Sequence, residues 1–263
     1  MAEMMGAQYV PALRKGFALL ELLAERGPLT LAQVERESGL NRTMAYRLLR
    51  VLGEMGYVEH DPLRHHYELG LRMLSLGAAT AQRMNLAEIA WPYLDAVREE
   101  TQETVSIGVL AGNQVIYLGT LNGPTGTDVG VRYGGRDAAH STSVGKAILA
   151  FLPEEQRETK VASLAPLPSV TPSTIVDRDK LANELARTRE RGYSLEDEEN
   201  AIGARGVGVP VLDAQGNPVA ALGIAGPVHR MDLRHADRTA ARLWRVSREV
   251  SRRLEHAPEV IAS

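Results

Sequence analysis

The sequence contains no cysteine, which excludes disulfide bonds, thiol catalysis and zinc sites with cysteine ligands, and which fits a reducing compartment. It also lacks any apolar run near the roughly 20 residues that a helix needs to cross a bilayer. The first ten residues, MAEMMGAQYV, contain no basic segment followed by an apolar core, so no secretory signal is predicted. These absences lead us to expect a cytoplasmic protein.

A strong excess of charge of either sign is absent as well. The 263 residues carry a net charge of −3, and the first 70 contain eight Lys and Arg against nine Asp and Glu. This balance weighs mildly against a nucleic-acid-binding function, which would need the few basic residues to be clustered on one face and doubled by dimerisation. The composition, 44% apolar and 24% charged, is that of a soluble globular protein, and the length suits two domains.

The stretch from Leu29 to Tyr57 predicts two short helices around a tight turn. Apolar residues recur at helical spacing in both halves, which gives each helix one buried stripe. Between them, Gly39 can adopt the left-handed conformation that ends a helix, and Asn41 is a favourable N-cap for the next one. A helix, a Gly-containing turn and a second helix form the layout of a DNA-binding helix-turn-helix.

The second of these helices begins with polar side chains that suit a recognition helix, because Asn, Arg and Thr can reach base edges and phosphates in the major groove. A hairpin pattern follows, with strands at Tyr57–His60 and Tyr67–Leu69 around a basic turn, as in the wing of a winged helix-turn-helix. The adjacent His65 and His66 would point to opposite faces and make a poor metal pair. The predicted DNA-binding residues are Asn41, Arg42, Thr43, Tyr46, Arg47, Arg50 and Arg64.

Two more helices are predicted around this motif. Pro11–Arg26 has the spacing of a helix that packs on the motif and on a partner subunit, and Gly70–Met84 is expected to be a linker helix. We therefore divide the chain into a winged helix-turn-helix domain at 1–69, the linker helix at 70–84 and a second domain at 85–263.

The second domain mixes amphipathic helices with hairpin strands, so its predicted class is α+β, with helices flanking an antiparallel sheet. The predicted helices are Leu86–Thr101, one that begins near Ser143, Pro153–Ser163, Asp177–Arg191 and Asp232–His256. The predicted strands are Thr104–Ala111, Gln114–Leu121, Thr127–Tyr133, Tyr193–Leu195, Gly206–Leu212 and Val219–Ala225.

Several short motifs, each weak alone, become specific in their order and spacing. They are Arg47-Leu48-Leu49 with Leu52, Gly56-Tyr57, Tyr67 to Gly70, His140 to Ala147, Arg191-Gly192-Tyr193, Glu198-Glu199 with Gly203, and Gly226-Pro227. From about Leu13 to Glu255 the chain thereby resembles the IclR family of transcriptional regulators. The resemblance implies a winged helix-turn-helix joined by a helix to a GAF-like effector-binding domain, and dimers that are often paired into tetramers.

A small-molecule site in the second domain follows from the residues and from the resemblance. A helix that starts near Ser143 presents free backbone N–H groups and the positive end of its dipole to an anion such as a carboxylate. The family implies that the stretch Glu196 to Gly206 and the last strand complete the pocket. The predicted effector-binding residues are Ser141, Ser143, Val144, Glu196, Gly206, Gly223 and Ala225. No cofactor and no metal are predicted.

The last three of these positions depart from family members that bind very small keto acids and that carry polar side chains there. Gly206, Gly223 and Ala225 supply fewer hydroxyls and less side-chain volume. We therefore expect a roomier, less polar pocket and a larger effector, such as an aromatic or amide-bearing acid. A cavity filled by Met231 or Tyr133 would contradict this expectation.

Three alternatives compete with this interpretation. The polar side of the second helix could be a solvated face, although the hairpin that follows favours DNA. Ser143-Val144-Gly145-Lys146 matches the Ser-x-x-Lys nucleophile motif, but the accompanying motifs of penicillin-recognising enzymes and Gly-x-Ser-x-Gly are absent, so we expect no enzyme. A protein–protein adaptor would leave the polar start of the second helix unexplained. Lys146 is expected to be a helix-surface or salt-bridged residue rather than a ligand contact, and structural hydrogen bonds are expected for at least one of Glu198 and Glu199.

We therefore predict a ligand-responsive DNA-binding regulator, a repressor of a catabolic operon, that senses a small organic acid of the carboxylic or aromatic class. Its expected partners are double-stranded operator DNA, the effector and further copies of itself in a homodimer or homotetramer.

Overall fold

The computed structural model describes residues 10–77, 86–123 and 131–256. The chain divides into two compact units, residues 1–83 and 84–263, and each has its own hydrophobic core. No helix within the described ranges is long and apolar enough to cross a membrane.

Three helices build the body of the first unit, and their ends follow local chemistry. The side chain of Asn41 caps the third helix by accepting the N–H of Met44 at 2.9 Å. Gly39 has φ 68°, in the left-handed region, and ends the second helix as predicted. The helices are α1 (Pro11–Arg26), α2 (Leu31–Ser38) and α3 (Arg42–Glu54).

The start of α2 holds a capping box that the sequence analysis did not predict. Thr30 Oγ1 accepts the N–H of Gln33 at 3.3 Å, and the Gln33 side chain accepts the N–H of Thr30 at 2.8 Å. Leu29–Thr30 also form β1, a two-residue strand that pairs with the wing. The helix-turn-helix is therefore tied to the hairpin at both ends of its sequence.

The predicted wing is present as an antiparallel hairpin of β2 (Val58–Asp61) and β3 (His66–Leu69), in a sheet of order β1-β3-β2. Gly70 follows β3 and packs closely on the backbone of Gly56. A Cβ at position 70 would lie 2.3 Å from the carbonyl oxygen of Gly56, so a larger residue does not fit there. A short helix, α4, then covers residues 72–77. The rest of the predicted linker, 78–84, lies outside the described residues.

The second unit contains five α-helices and six strands within its described residues. The helices are α5 (Leu86–Thr101), α6 (Ser143–Phe151), α7 (Glu154–Ser163), α8 (Arg178–Arg191) and α9 (Ala236–His256). The strands are β4 (Thr104–Ala111), β5 (Gln114–Leu121), β6 (Arg136–Ala138), β7 (Ser194–Asp197), β8 (Ala204–Leu212) and β9 (Pro218–Pro227).

These strands form one antiparallel sheet in the order β6-β5-β4-β9-β8-β7. One face packs on α5 and α9, and the other packs on α6, with α7 and α8 outside it. Because both faces are covered, β4, β8 and β9 are buried along most of their length. The predicted α+β class is confirmed.

One strand prediction needs correction. Most of the predicted strand Thr127–Tyr133 lies outside the described residues, and 131–133 are not a strand. The strand that pairs beyond β5 is instead β6, which joins Gln114 to Ala138 and Ile116 to Arg136. With three residues, β6 is too short to show the two-residue alternation on which the prediction relied.

Candidate functional site

The polar residues predicted to bind DNA lie together on the exposed face of α3. Arg42, Thr43, Tyr46, Arg47 and Arg50 are all exposed, while Ala45 and Leu49 are buried on the opposite side against α1 and α2. Among the described residues, Arg42 and Arg47 form no ion pair, so both guanidinium groups are available to an external anion. The side chain of Asn41 is partly used, because its oxygen caps the helix.

The remaining two basic residues of the prediction have acidic neighbours. Arg50 pairs with Glu54 one turn later at 3.1 Å, and Arg64 lies 3.9 Å from Asp61 across the wing turn. The backbone N–H groups of Arg64 and Leu63 both bond to the carboxylate of Asp61, which lowers the pKa of that carboxyl. This turn holds the wing tip, where Leu63 is 91% exposed.

The candidate effector site is a small enclosed cavity in the second unit, between the N-terminal end of α6 and the sheet. Thr142 caps α6 by accepting the N–H of Gly145 at 3.0 Å. The residues that enclose the cavity come from the start of α6, from five strands (β4, β5, β7, β8 and β9), from the loop after β7 and from Val131. The lining residues are Ser106, Tyr117, Val131, Thr142, Ser143, Val144, Glu196, Asn200, Ala201, Ala204, Gly223 and Ala225.

Glycines on β8 and β9 let the start of α6 lie directly on the sheet. A Cβ on Gly208 would lie 2.5 Å from the backbone oxygen of Ser143, and one on Gly223 would lie 2.7 Å from a methyl of Val144. A Cβ on Gly206 would lie 2.8 Å from Ser143 Oγ and 3.0 Å from Glu196 Oε2. The space that side chains at these three glycine positions would fill is therefore occupied by α6 and by Glu196.

The cavity presents buried polar groups that the described residues leave unpaired. Ser106 and Ser143 are 4% and 5% exposed, and within the described ranges neither hydroxyl has a hydrogen-bond partner. The N–H groups of Ser143 and Val144, in the first turn of α6, form no hydrogen bond there either. Four donors therefore converge at the positive end of the α6 dipole, an arrangement that favours a carboxylate.

A buried carboxyl faces these donors. Glu196, 6% exposed, accepts the N–H of Asn200 at 3.2 Å through Oε1. Burial raises the pKa of Glu196 to about 7, and the nearby carboxyls of Glu199 and Asp137 also raise it, against the lowering effects of the Asn200 N–H and the Lys146 charge. Glu196 is therefore close to half-ionised at neutral pH.

The acidic residues near Glu196 are also paired with polar or charged groups. Lys146 is fully buried rather than on the helix surface, and it donates to Glu199 in a short ion pair, so the salt-bridged alternative is the correct one. Glu198 accepts the N–H of Gly203 at 2.8 Å, which confirms a structural role for one of the acidic pair. Burial raises the pKa of Asp137, while hydrogen bonds from Asn200 and Tyr117 lower it.

The prediction of a roomy pocket is wrong for this structure. The cavity measures about 20 Å³, room for roughly one water molecule. It is not filled by Met231, which is buried in the core under α5 and α9, or by Tyr133, which is 74% exposed. Ser143, Val144 and Glu196 occupy the space beside the glycines instead.

The structure brings most of the predicted effector residues together. Ser143, Val144, Glu196, Gly223 and Ala225 line the cavity, and Gly206 lies behind Ser143 and Glu196. Ser141 does not line it, because its hydroxyl donates to Asn200 at 2.8 Å and so positions the loop after β7. His140 is buried and contacts the carbonyl of Pro168 at 3.1 Å, outside the cavity.

Sequence reasoning missed three polar lining residues, Ser106, Tyr117 and Asn200. Ser106 is paired with Gly223 across β4 and β9, and Tyr117 lies on β5. A signal was present in β4, where Ser106 interrupts an otherwise apolar run. The elements that the Ser106 side chain meets depend on the order of strands in the sheet, which local sequence patterns do not give. Among the described residues, no group of His, Asp or Glu side chains could hold a metal ion.

Comparison with known proteins matches both units. Residues 12–62 match the IclR helix-turn-helix domain, and residues 78–252 match the bacterial transcriptional regulator IclR C-terminal domain. The chain belongs to the IclR family. The resemblance to this family that the sequence motifs indicated is thereby confirmed. The family groups the chain with transcriptional regulators rather than with enzymes. The Ser-x-x-Lys motif fits this conclusion, because the Lys146 ammonium is bound to Glu199.

Characterised relatives cover most of this IclR-family chain. The transcriptional repressor IclR of Escherichia coli is 32% identical over 245 residues, which is 92% of this chain and 89% of the relative. The p-hydroxybenzoate hydroxylase transcriptional activator of Acinetobacter baylyi is 32% identical over 229 residues, 85% of this chain and 83% of the relative. The family members similar to this chain thus include a repressor and an activator.

Solved structures agree in fold. The Thermotoga maritima IclR structure is 30% identical with a TM-score of 0.72, over 92% of this chain and 98% of that one. An IclR homologue from Microbacterium hydrocarbonoxydans, in complex with 4-hydroxybenzoate, is 25% identical with a TM-score of 0.78, over 94% of this chain and all of that one.

Proposed function

We propose that this IclR-family regulator binds operator DNA through the α3 face and the wing, and that an organic acid in the cavity at the start of α6 controls this binding. The observation that carries the proposal is a set of four donors that line this cavity and have no partner among the described residues, namely the hydroxyls of Ser106 and Ser143 and the N–H groups of Ser143 and Val144. Unpaired buried polar groups are costly in a folded protein unless a ligand or water satisfies them. The α3 face would bind the DNA, because Arg42 and Arg47 are exposed on it.

The effector that we propose is an aromatic carboxylic acid. Two similar proteins support this class, the activator named for p-hydroxybenzoate hydroxylase and the homologue in complex with 4-hydroxybenzoate. A benzene ring needs several times the 20 Å³ of the present cavity, so binding has to displace part of its lining. A ligand that binds only a widened state shifts the protein toward that state, as an effector must.

The proposed assembly is a homodimer, or a tetramer made of two dimers. An almost wholly apolar groove lies between α1, α3 and the start of α4, and Leu13 and Phe17 are each 60% exposed along it. A second copy is the occupant that we propose, because two recognition helices one DNA turn apart read a two-fold operator and double the basic residues. We also propose that the protein is cytoplasmic, because that is where it would meet operator DNA, and that it represses a catabolic operon.

The DNA half of the proposal is tested with Arg47→Ala. Removing this exposed guanidinium from the α3 face should weaken operator binding by roughly tenfold or more, about 1–3 kcal/mol, without changing the fold. The measurement is fluorescence anisotropy on the DNA upstream of the gene, at physiological salt with competitor DNA. Arg178→Ala is the matched control, because it removes one exposed cation from α8 in the other unit. Equal affinity of both variants and the native protein would contradict the α3 assignment.

A further inference from the structure

The Glu196 carboxyl and the donors of α6 occupy the same corner of the cavity. Glu196 Oε2 and Ser143 Oγ lie 3.0 Å and 2.8 Å from the point where a Cβ of Gly206 would be, so they flank one glycine. Oε1 accepts a backbone N–H, whereas Oε2 has no hydrogen-bond partner among the described residues. A carboxylate held by the first turn of α6 would therefore have Oε2 as a neighbour.

The charges that face Glu196 do not compensate a second anion. On the elements packed against it they are the ammonium of Lys146 on α6, the carboxyl of Asp137 on β6, the carboxyl of Glu199 in the loop, and the hydroxyl of Tyr117 on β5. Burial raises the pKa of the Tyr117 hydroxyl well above its usual value, so that group stays neutral. Lys146 is already bound to Glu199.

The strand positions opposite Glu196 carry no further cation, and the nearby Arg205 on β8 is paired with Asp197. Gly206 on β8 and Ala225 on β9 stand opposite each other in the sheet, and Gly206 also stands opposite Glu196. Two carboxylates in contact in a buried site cannot both stay ionised at moderate cost, and one of them takes a proton. The ligand carboxylate has four donors, whereas Oε2 has none, so the proton belongs on Glu196.

We propose that the cavity takes up one proton together with its carboxylate ligand, with Glu196 as the group that receives it. The proton comes from solvent and forms an O–H bond at Oε2, which then donates a hydrogen bond to a ligand oxygen. The inference rests on the proposed function, because it requires an organic acid at this site.

The ionisation of the free site sets the expected pH dependence. Burial brings the pKa of Glu196 to about 7, so the carboxyl of the free protein is mostly protonated at pH 6 and mostly ionised at pH 8. If only the protonated form accepts the acid, the apparent affinity falls with the protonated fraction, by about tenfold from pH 6 to pH 8. A benzoate-type acid stays ionised throughout this range and adds no dependence of its own.

Isothermal titration calorimetry of the full chain tests this, with 4-hydroxybenzoate, benzoate and phenylacetate as probes. At each pH the binding enthalpy is measured in buffers of different ionisation enthalpy, which yields the number of protons taken up. The native protein should take up close to one proton at pH 8 and close to none at pH 5.5. Glu196→Gln should bind with no proton uptake and with an affinity that varies less than twofold from pH 6 to pH 8, because its amide donates permanently.

Asp197→Asn is the matched control, since it makes the same change of acid to amide one residue away, at an exposed side chain paired with Arg205. It should behave like the native protein. Binding without proton uptake at pH 8, or uptake that persists in Glu196→Gln, would overturn the inference and leave the proposed function standing. Binding of none of the acids by the native protein at any pH would overturn the proposed effector class and the inference with it.

Discussion

Glu196 is the residue at which the chemistry of this site is concentrated. Its carboxyl is buried beside the unpaired donors of α6, and its pKa is raised to about 7 mainly by burial. A raised pKa in the folded state means that folding favours the protonated form. The same side chain therefore links the stability of the free protein to pH before any ligand is present.

This linkage predicts how Glu196→Gln changes stability. The protonated carboxyl of the folded protein contributes to the free energy of unfolding. This contribution is fully present below the unfolded pKa of 4.5 and is lost as the pH rises through 7. The stability of Glu196→Gln relative to the native protein should therefore increase by about 2 kcal/mol from pH 5 to pH 8. Denaturant unfolding followed by tryptophan fluorescence measures this, since both tryptophans, Trp91 and Trp244, lie in the second unit. A pH-independent difference would contradict the buried, titrating carboxyl.

At the residue scale, the sequence predicted which residues line the site more successfully than it predicted how their side chains pack. A helix start at Ser143 follows from local pattern, and Glu196 comes from the family resemblance. Ser106 and Tyr117 could not be found, because they meet α6 only after the sheet is assembled. The roomy pocket was a wrong prediction because volume was counted residue by residue, whereas the space beside Gly206 is refilled by Ser143 and Glu196.

The packing of α6 on the sheet is the feature of the second unit that creates the site. The Ser194 hydroxyl on β7 donates to the carbonyl of Ser143 at 2.5 Å, which fixes the first turn of α6 above β8. Gly208, paired with Ser194 in the sheet, leaves the room for that turn. The position of the donors therefore depends on the absence of a side chain at Gly208.

Gly208→Ala and Gly206→Ala separate backbone contact from side-chain contact on one strand. A methyl at 208 meets the backbone of Ser143 at 2.5 Å, so we expect a loss of about 1–3 kcal/mol in the free energy of unfolding. A methyl at 206 has its closest contacts with Ser143 Oγ and Glu196 Oε2, which can rotate away, and it lies 3.3 Å from Ser143 Cβ, so the loss should be clearly smaller. Denaturant midpoints measured side by side decide this, and equal midpoints would contradict the close packing.

Long amphipathic elements were predictable and very short ones were not. The bounds of α1 and of the β4–β5 hairpin match the prediction, because each contains several repeats of its period. The two-residue β1 and the three-residue β6 contain no full repeat, and only tertiary pairing defines them. The predicted domain boundaries at 69 and 84 stay a prediction.

At the scale of the whole molecule, the apolar groove between α1, α3 and α4 is an open surface of the first unit. Leu13, Phe17, Val51 and Met55 are each between 47% and 60% exposed on neighbouring turns of α1 and α3. A contiguous exposed apolar patch of this kind marks a contact surface. In the proposed dimer it would be covered by the same groove of a second copy, as two-fold symmetry requires.

Phe17→Glu tests this surface. A carboxylate placed in an apolar contact should shift the protein toward a smaller assembly in sedimentation velocity at micromolar concentration, and should weaken operator binding with it. Leu63→Glu is the control for association, because Leu63 is 91% exposed at the wing tip, away from the groove. An unchanged assembly in Phe17→Glu would show that copies do not associate through this groove.

The central claim, that an acid in the second unit controls DNA binding by the first, is tested most directly by a gel-shift titration on the DNA upstream of the gene. The reaction contains competitor DNA, physiological salt and one acid at a time from a panel of aromatic and small aliphatic acids. We predict a discrete, competitor-resistant shift that one aromatic acid alters, and a blunted response with intact DNA binding in Glu196→Ala. No specific shift on this DNA or on neighbouring promoters, or a response to the acid that Glu196→Ala leaves unchanged, would contradict the account.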